Sequence, residues 1–247
     1  MQMWHFNRKT RTSLLKLDLT SQIDKYNQFK AGAEIKQHKL WLHEFIVIPE
    51  LEARLSPITT VSNNRYAQEP RDIAAYIQDK IELNFMIMNI GLRFDHFDPG
   101  SGIPMDFSNP EISALQAADI TTQLSPRLGL AYPISDQGKI HVSYGHFFQT
   151  PPLDYLYTNP EFDIYELQSM PSPPPNSQLN IIGNAALKPQ KTVSYEIGLQ
   201  QQIATDFSID LTAFYKDIRN LVGTEVLYTQ TGRSEEHTSE LQSLLII

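Results

Sequence analysis

Residues 76–97 read YIQDKIELNFMIMNIGLRFDHF, and their apolar positions recur at every second residue. Met86, Met88, Ile90, Leu92 and Phe94 fall on one side of an extended chain, and Asn89, Gly91, Arg93 and Asp95 on the other. Successive strand side chains point to opposite faces, so this spacing predicts a strand with one apolar and one polar face. A helix would need apolar residues three and four apart, and would scatter Arg93 and Asp95 around the apolar stripe. The stretch therefore predicts two strands joined by a tight turn near 83–85. What covers the apolar face, protein or lipid, is open at this point.

The same alternation marks other strands. They are predicted at about 13–23 and 28–45, at 124–133 and 139–148 around SDQG, and at 191–202 and from 207 onward around a turn at 204–206. A ninth is expected within 223–230. Three segments have no period and are rich in turn formers or proline: 46–71, 98–123 and 149–190. The connections thus alternate short, long, short, long. Loops beyond about 12–15 residues are uncommon in compact domains without a functional reason. Transmembrane β-barrels have this asymmetry as a rule, with short periplasmic turns and long extracellular loops. Their strands need about 9–11 residues to cross a bilayer. The turns at Asp24, Asn84, Asp136 and Thr205 are then expected on the periplasmic side.

Composition agrees with this reading without proving it. The chain has 247 residues, 41% of them hydrophobic, and a mean hydropathy of -0.32. A barrel dilutes its hydropathy, because half of each strand faces a polar lumen. The net charge of -8 argues against a nucleic-acid partner, which would favour a basic face. The chain has no cysteine, which fits an exported bacterial protein as well as many cytosolic ones.

The first residues, MQMWHFNRKT, have neither an apolar stretch nor a small-residue cleavage site and do not read as a signal peptide. Either the protein is cytoplasmic or the sequence is an internal piece of a longer one. At the other end, RSEEHTSELQS matches the translation of a common sequencing-library adapter. The expectation is a partial barrel over 1–232 and an adapter-derived artefact over 233–247. The alternative for 233–247 is a disordered polar tail, and the underlying codons decide between them.

Several strings together resemble the barrel of TonB-dependent outer-membrane receptors. They are AAYIQDKIEL at 74–83, NIGLRFDHF at 89–97, SPRLGLAYPIS at 125–135, HVSYGHFFQTPP at 141–152, NAALKPQKTVSYEIGLQQ at 184–201 and IDLTAFYKDIRNLV at 209–222. LTSQIDKYNQFKAGAEIK resembles an earlier hairpin of the subgroup with a carboxypeptidase-regulatory-like N-terminal domain. The resemblance implies an all-β fold: an antiparallel transmembrane β-barrel segment, about eight or nine strands of a larger 22-stranded barrel. It implies the outer membrane of a Gram-negative bacterium as location and outer-membrane lipid as a partner. It further implies a TonB complex acting through a plug domain and a small-molecule or oligosaccharide ligand. No plug, TonB box or closing aromatic strand is found in this sequence, so an incomplete fragment is expected. Strand edges left unpaired in lipid would cost several kcal/mol per unsatisfied group, roughly.

Few residues suggest chemistry. Lys80 and Glu82, and Arg93 and Asp95, are expected to face the lumen, either touching plug or solute or forming a salt-bridge ladder across adjacent strands. Such cross-strand pairing of opposite charges is the commoner role. Asp79 falls among Ile77, Ile81 and Leu83, where a carboxylate facing lipid is costly. That places it near the membrane interface or on a bulge. His96, His141 and His146, with Asp95 and Asp98, have no dedicated metal-ligand spacing. No nucleophile or acid–base pair stands out, so neither catalysis nor a cofactor is expected. In the aromatic stretch 146–165, Phe147 and Phe148 are expected in the interfacial girdle. Tyr155, Tyr157 and Tyr165 are the ligand-loop candidates, since aromatic rings offer large contact area at low entropy cost.

The leading expectation is a fragment of a receptor for TonB-energised uptake of a siderophore-, cobalamin- or oligosaccharide-like solute. The alternatives are a structural or adhesive barrel that imports nothing, and a secreted β-sandwich whose apolar faces pack together.

Overall fold

The structure, a computed structural model, describes residues 3–47, 63–106, 113–158, 181–223, 225–229 and 242–246. Its main feature is a nine-stranded sheet built almost wholly by neighbouring antiparallel pairs. The strands are β1 (Met3–Gln22), β2 (Asn27–Val47), β3 (Asn63–Gln68), β4 (Arg71–Leu83) and β5 (Met86–Asp98). After the short hairpin β6 (Gly102–Pro104) and β7 (Leu115–Ala117) come β8 (Thr121–Ser135) and β9 (Gly138–Gln149). A five-residue helix α1 (Leu153–Tyr157) and β10 (Ile181–Ile182) precede β11 (Gln190–Ala204) and β12 (Phe207–Arg219). A separate small sheet joins β10, β14 (Gln242–Ile246) and β13 (Glu225–Thr229).

The main sheet runs β1-β2-β4-β5-β8-β9-β11-β12, with β3 paired to the far half of β2. Each predicted tight turn is present, at 23–26, 84–85, 136–137 and 205–206. The first turn owes its shape to Asp24, whose carboxylate accepts from the backbone N–H groups of Tyr26 and Asn27 at 2.7 and 2.8 Å and from the Asn27 amide at 2.8 Å. These bonds, the Asn27 amide foremost, hold the Asp24 carboxyl below its usual range.

The structure differs from the sequence expectation mainly at the other end. β1 spans 20 residues and begins ten residues before its predicted start, whereas β2, with 21, keeps close to its predicted limits. The β1 extension carries no strict alternation, and pairing with the far half of β2 supplies the order that periodicity does not. The segment 46–71 holds β3, 98–123 holds the β6–β7 hairpin and 149–190 holds α1 and β10. Within 233–247, expected to be an artefact or a tail, the structure describes β14.

Register assigns every strand residue to a face. One face carries Leu15, Leu17, Leu19, Ile77, Ile90, Leu92, Phe94, Leu124, Leu128, Val142, Ile197, Leu199 and Leu211, all exposed; Leu17 and Leu211 are each 67% exposed. Among the described residues no second layer covers this face, which a β-sandwich would require. An apolar surface of this extent marks a contact with another apolar medium. On β4 it runs from Ile73 to Leu83, about 33 Å along the strand, or about 25 Å at a ~40° tilt.

Toward the long-connection end the apolar surface finishes in a row of rings. Tyr144, Tyr195 and Tyr215 lie side by side in register, with centroids 5.1 and 6.1 Å apart. Beyond them Asp217 and Arg219 pair at 2.6 Å. On β2, Trp41, His43 and Phe45 form a similar group with His5. These rings occupy the girdle position expected of Phe147 and Phe148. Phe147 instead shares the polar face with Arg127, and Phe148 packs against buried residues of the rim. Adjacent strand residues point in opposite directions, so the pair could not both face outward.

Asp79 sits in regular register between Phe29 and Ile90, with no bulge. It lies four residues from the end of β4, about 13 Å along the strand from the turn. Its Oδ1 is buried without a hydrogen-bond partner.

The core is small and lies at the long-connection end. Leu40, Leu42, Tyr66, Phe97, Ala118, Leu156, Tyr157 and Ala185 form one buried cluster, flanked by Ile103, Phe148, Leu153 and Leu187. Segments that the sequence left irregular thus supply a packed rim.

Candidate binding wall and rim

The opposite, polar face of the sheet bounds a groove of about 800 Å³. Its lining includes Lys30, Tyr76, Arg93, Arg127, Glu196 and Lys216. Lys80, Glu82, Arg93 and Asp95 share this polar face. Arg93 Nε donates to Asp95 Oδ1 at 2.8 Å, and Lys80 pairs with Glu82. Both pairs run along a single strand at two-residue spacing, not across adjacent strands as expected. Lys16–Asp18 and Glu34–Lys36 repeat the arrangement on β1 and β2. A strand places residues i and i+2 on one face about 7 Å apart, within reach of a long cation and a carboxylate.

Close packing on this face uses glycine. A Cβ on Gly32 would lie 2.4 Å from Tyr76 Cε1 and 2.6 Å from Asp18 Oδ1, so only glycine lets the Tyr76 ring cross β2. From there the Tyr76 hydroxyl donates to Asp18 Oδ1 at 2.7 Å.

The histidines divide between the faces. His141 lies inward over Gly198, with Nε2 3.6 Å from Glu196. His146 lies outward, with Nε2 2.6 Å from the Tyr144 hydroxyl oxygen, and His96 is on that outer face too. Among the described residues no group of three metal-ligating side chains converges.

At the rim, α1 is fastened to three distant strands or loops. Asp154 Oδ1 pairs with Arg8 at 2.8 Å and accepts from the Tyr66 hydroxyl at 3.2 Å. The Tyr157 hydroxyl donates to the Pro99 carbonyl at 2.6 Å, and its ring tilts against Tyr66 with centroids 6.0 Å apart. Burial raises the Tyr157 hydroxyl well above the ordinary tyrosine range, and burial followed by the Asp154 charge pushes Tyr66 up to about 12. Gly183 passes so near α1 that a Cβ there would lie 2.6 Å from the Thr158 nitrogen; its N–H donates to the Thr158 carbonyl at 2.7 Å.

The three ligand-loop candidates are placed differently from one another. Tyr155 is 38% exposed on α1. Tyr157 is 1% exposed, so any ligand contact by its ring requires α1 to move. Tyr165 lies outside the described residues, as does the proline-rich stretch 171–177. Sequence reasoning missed Asp154, Arg8 and Tyr66, whose partners are remote in the chain and carry no local pattern.

An amphipathic antiparallel sheet with a lipid-compatible outer face, aromatic rows and a charged inner wall defines the class: part of a transmembrane β-barrel. The family model described as TonB dependent receptor-like, beta-barrel, matches residues 6–237, and the chain belongs to that family. Barrels of this family are outer-membrane proteins of Gram-negative bacteria. Similar solved structures include the hemophore receptor HasR of Serratia marcescens, in complex with its hemophore HasA and heme (12% identity, TM-score 0.61, 98% of this chain and 38% of that one). The ferric yersiniabactin uptake receptor FyuA from Yersinia pestis is also similar (10% identity, TM-score 0.57, 89% and 30%). So is the siderophore receptor PirA from Pseudomonas aeruginosa (17% identity, TM-score 0.53, 90% and 33%). At these identities the likeness is one of fold. The chain spans about a third of the length of these structures. No curated protein sequence matches it.

Proposed function

We propose that this chain forms part of the barrel wall and outer rim of a receptor for TonB-energised uptake of a scarce solute. The family match over residues 6–237 carries the reading. Siderophore, yersiniabactin and hemophore receptors among the structural neighbours favour an iron carrier; a cobalamin- or oligosaccharide-like ligand is the broader class. In this reading residues 1–232 belong to the barrel, lipid contacts the apolar face, and TonB acts through a plug domain. Lys80, Glu82, Arg93 and Asp95 set the charge of the lumenal wall without catalysing a reaction. Tyr155 and Tyr165 contact the ligand from the outer loop, and Tyr157 fixes the helix that presents Tyr155.

The test is uptake by cells expressing the whole receptor, with and without TonB. Labelled ferric siderophores, heme, cobalamin and oligosaccharides would be supplied in turn. Uptake of one of them that disappears without TonB is the expected result. A correctly inserted receptor that takes up none of them in a TonB-dependent way would overturn the proposal and favour a display barrel. Tyr155→Ala with Tyr165→Ala should weaken binding of the transported ligand several-fold; unchanged affinity would remove these rings from the site.

A further inference from the structure

Arg8 at the rim and Lys139 beside the 136–137 turn aside, the inner-face cations divide into two kinds. Lys16, Lys36, Lys80 and Arg93 each have a carboxylate two residues away on their own strand. Lys30, Arg127 and Lys216 have none at that spacing, and none of the ion pairs found among the described residues includes them. The three lie in one cross-strand row. Register runs from Lys30 to Gln78, Gly91, Arg127, Gly145, Ser194 and Lys216, each directly opposite the next. The row carries three cations and no acid, in a chain of net charge -8.

The spacing within the row matters. Arg127 is flanked in register by Gly91 and Gly145, and the space over Gly145 is taken by the Phe147 ring. Between Arg127 and Lys216 lie only Gly145 and Ser194. Three strand spacings separate these two cations, about 14 Å between backbones. Two long side chains, Arg127 reaching across the Phe147 ring that covers Gly145 and Lys216 reaching over Ser194, can close the distance onto one anion. Aromatic rings steady both heads: the Arg127 guanidinium carbon is 5.0 Å from the Phe147 centroid, and Lys216 Nζ is 5.3 Å from that of Phe214. A cation on a ring face keeps its outward N–H groups free to donate.

We infer that Arg127 and Lys216, over the floor of Gly145 and Ser194, form a binding station on the inner wall for a small anion bearing carboxylate or phosphate groups. Arg127 supplies the fork for a planar or tetrahedral oxyanion, Lys216 supplies the second charge, and the Ser194 hydroxyl is available between them. Lys30 extends the positive row across β2. This deepens the uptake reading by naming a charge class for a solute at the wall, and it rests on that reading only for the solute's onward passage.

Binding is therefore measured without transport, on the whole receptor folded in detergent micelles, using inorganic pyrophosphate as probe and calorimetric titration as readout. Saturable one-to-one binding is expected, weakened about tenfold by R127Q and by K216Q and less by R127K, which keeps the charge and loses the fork. K139Q, an inner-face cation beside the 136–137 turn, should bind as wild type does. Lys216 is exposed on β12, so K216Q carries the test should R127Q fail to fold. Absence of saturable binding, or equal weakening by K139Q and K216Q, overturns the station. Intact anion binding together with TonB-independent uptake would overturn the receptor reading and leave the station standing.

Discussion

The Tyr157 hydroxyl donates to the carbonyl of Pro99, 58 residues earlier in the chain, across 2.6 Å. The bond joins the loop after β9 to the loop after β5, and both partners are fully buried. Tyr157→Phe keeps the ring and leaves the Pro99 carbonyl without its donor. A buried acceptor left unsatisfied costs roughly 1–3 kcal/mol. Hydrogen exchange should therefore quicken in 99–104 and 153–158 while the paired strands β4 and β5 keep their protection. Tyr157→Ala also empties the ring's place in the core and should cost about 3–5 kcal/mol of rim stability. Unchanged exchange at both segments would show that the bond does not order the rim.

Asp154 joins α1 to β1 through Arg8 and to β3 through Tyr66. The ion pair is about half exposed on both sides, so its own contribution should stay below roughly 1 kcal/mol. Arg8→Ala is accordingly expected to change little, and less still at high salt. Asp154→Ala removes both partners and should loosen α1 more than Arg8→Ala does. Comparing exchange rates in α1 for the two variants checks the order; equal effects would place the anchoring in the ion pair alone.

These contacts also mark where the sequence stopped being informative. Alternation along β4 and β5, or β11 and β12, is local, because one buried or lipid-facing side imposes a period of two on consecutive residues. Met86 to Phe94 is legible for that reason, and so is the shared polar face of Arg93 and Asp95. The rim has no such period. Leu40, Tyr66, Phe97 and Tyr157 meet from four separate elements, and nothing near Tyr157 in sequence announces Pro99 as its partner. The cation row was hidden differently: Lys30, Arg127 and Lys216 each look ordinary on their own strand, and only the register aligns them. Phe147 was misplaced because two consecutive aromatic residues suggest one patch, while a strand sends them to opposite faces.

Gly183 tests how tightly the 181–184 segment must approach α1. A methyl there meets backbone atoms of Thr158, Tyr157 and Leu156 within 2.6 to 2.9 Å, and backbone cannot swing aside as a side-chain end can. Gly183→Ala should therefore break the Gly183 N–H to Thr158 carbonyl bond and destabilise the rim by about 1–3 kcal/mol, as overpacking does elsewhere. Chymotryptic cleavage after Tyr157 would report the opening. Resistance equal to wild type would mean that the segment can shift at little cost.

Gly32 poses the same question on the inner wall, with a different expected outcome. Its methyl would meet the Tyr76 ring and the Asp18 carboxylate, which are side chains and can move. Gly32→Ala should displace the ring and lose the 2.7 Å bond to Asp18, with a small loss of stability. In a double-mutant cycle Gly32→Ala should then cost less in a Tyr76→Ala background. Additive costs would deny the contact.

The Asp24 turn gives a pH-dependent prediction whose sign follows from the direction of its shift. Bonds from the Asn27 side chain and from the backbone of Tyr26 and Asn27 lower the folded-state pKa below its unfolded value. The contribution is therefore fully present above the unfolded pKa and is lost as pH falls through the lower, folded one. In that acidic window the amide protons of Tyr26 and Asn27 should lose protection before those in the middle of β1 and β2. Asp24→Asn can still accept a bond at the turn but has no charge to titrate, so its protection should stay level across the same window. Amide exchange of both proteins through the acid range, followed by nuclear magnetic resonance in micelles, separates the outcomes. A wild-type turn whose protection is as level as that of the Asn variant would show that the carboxylate does not hold it.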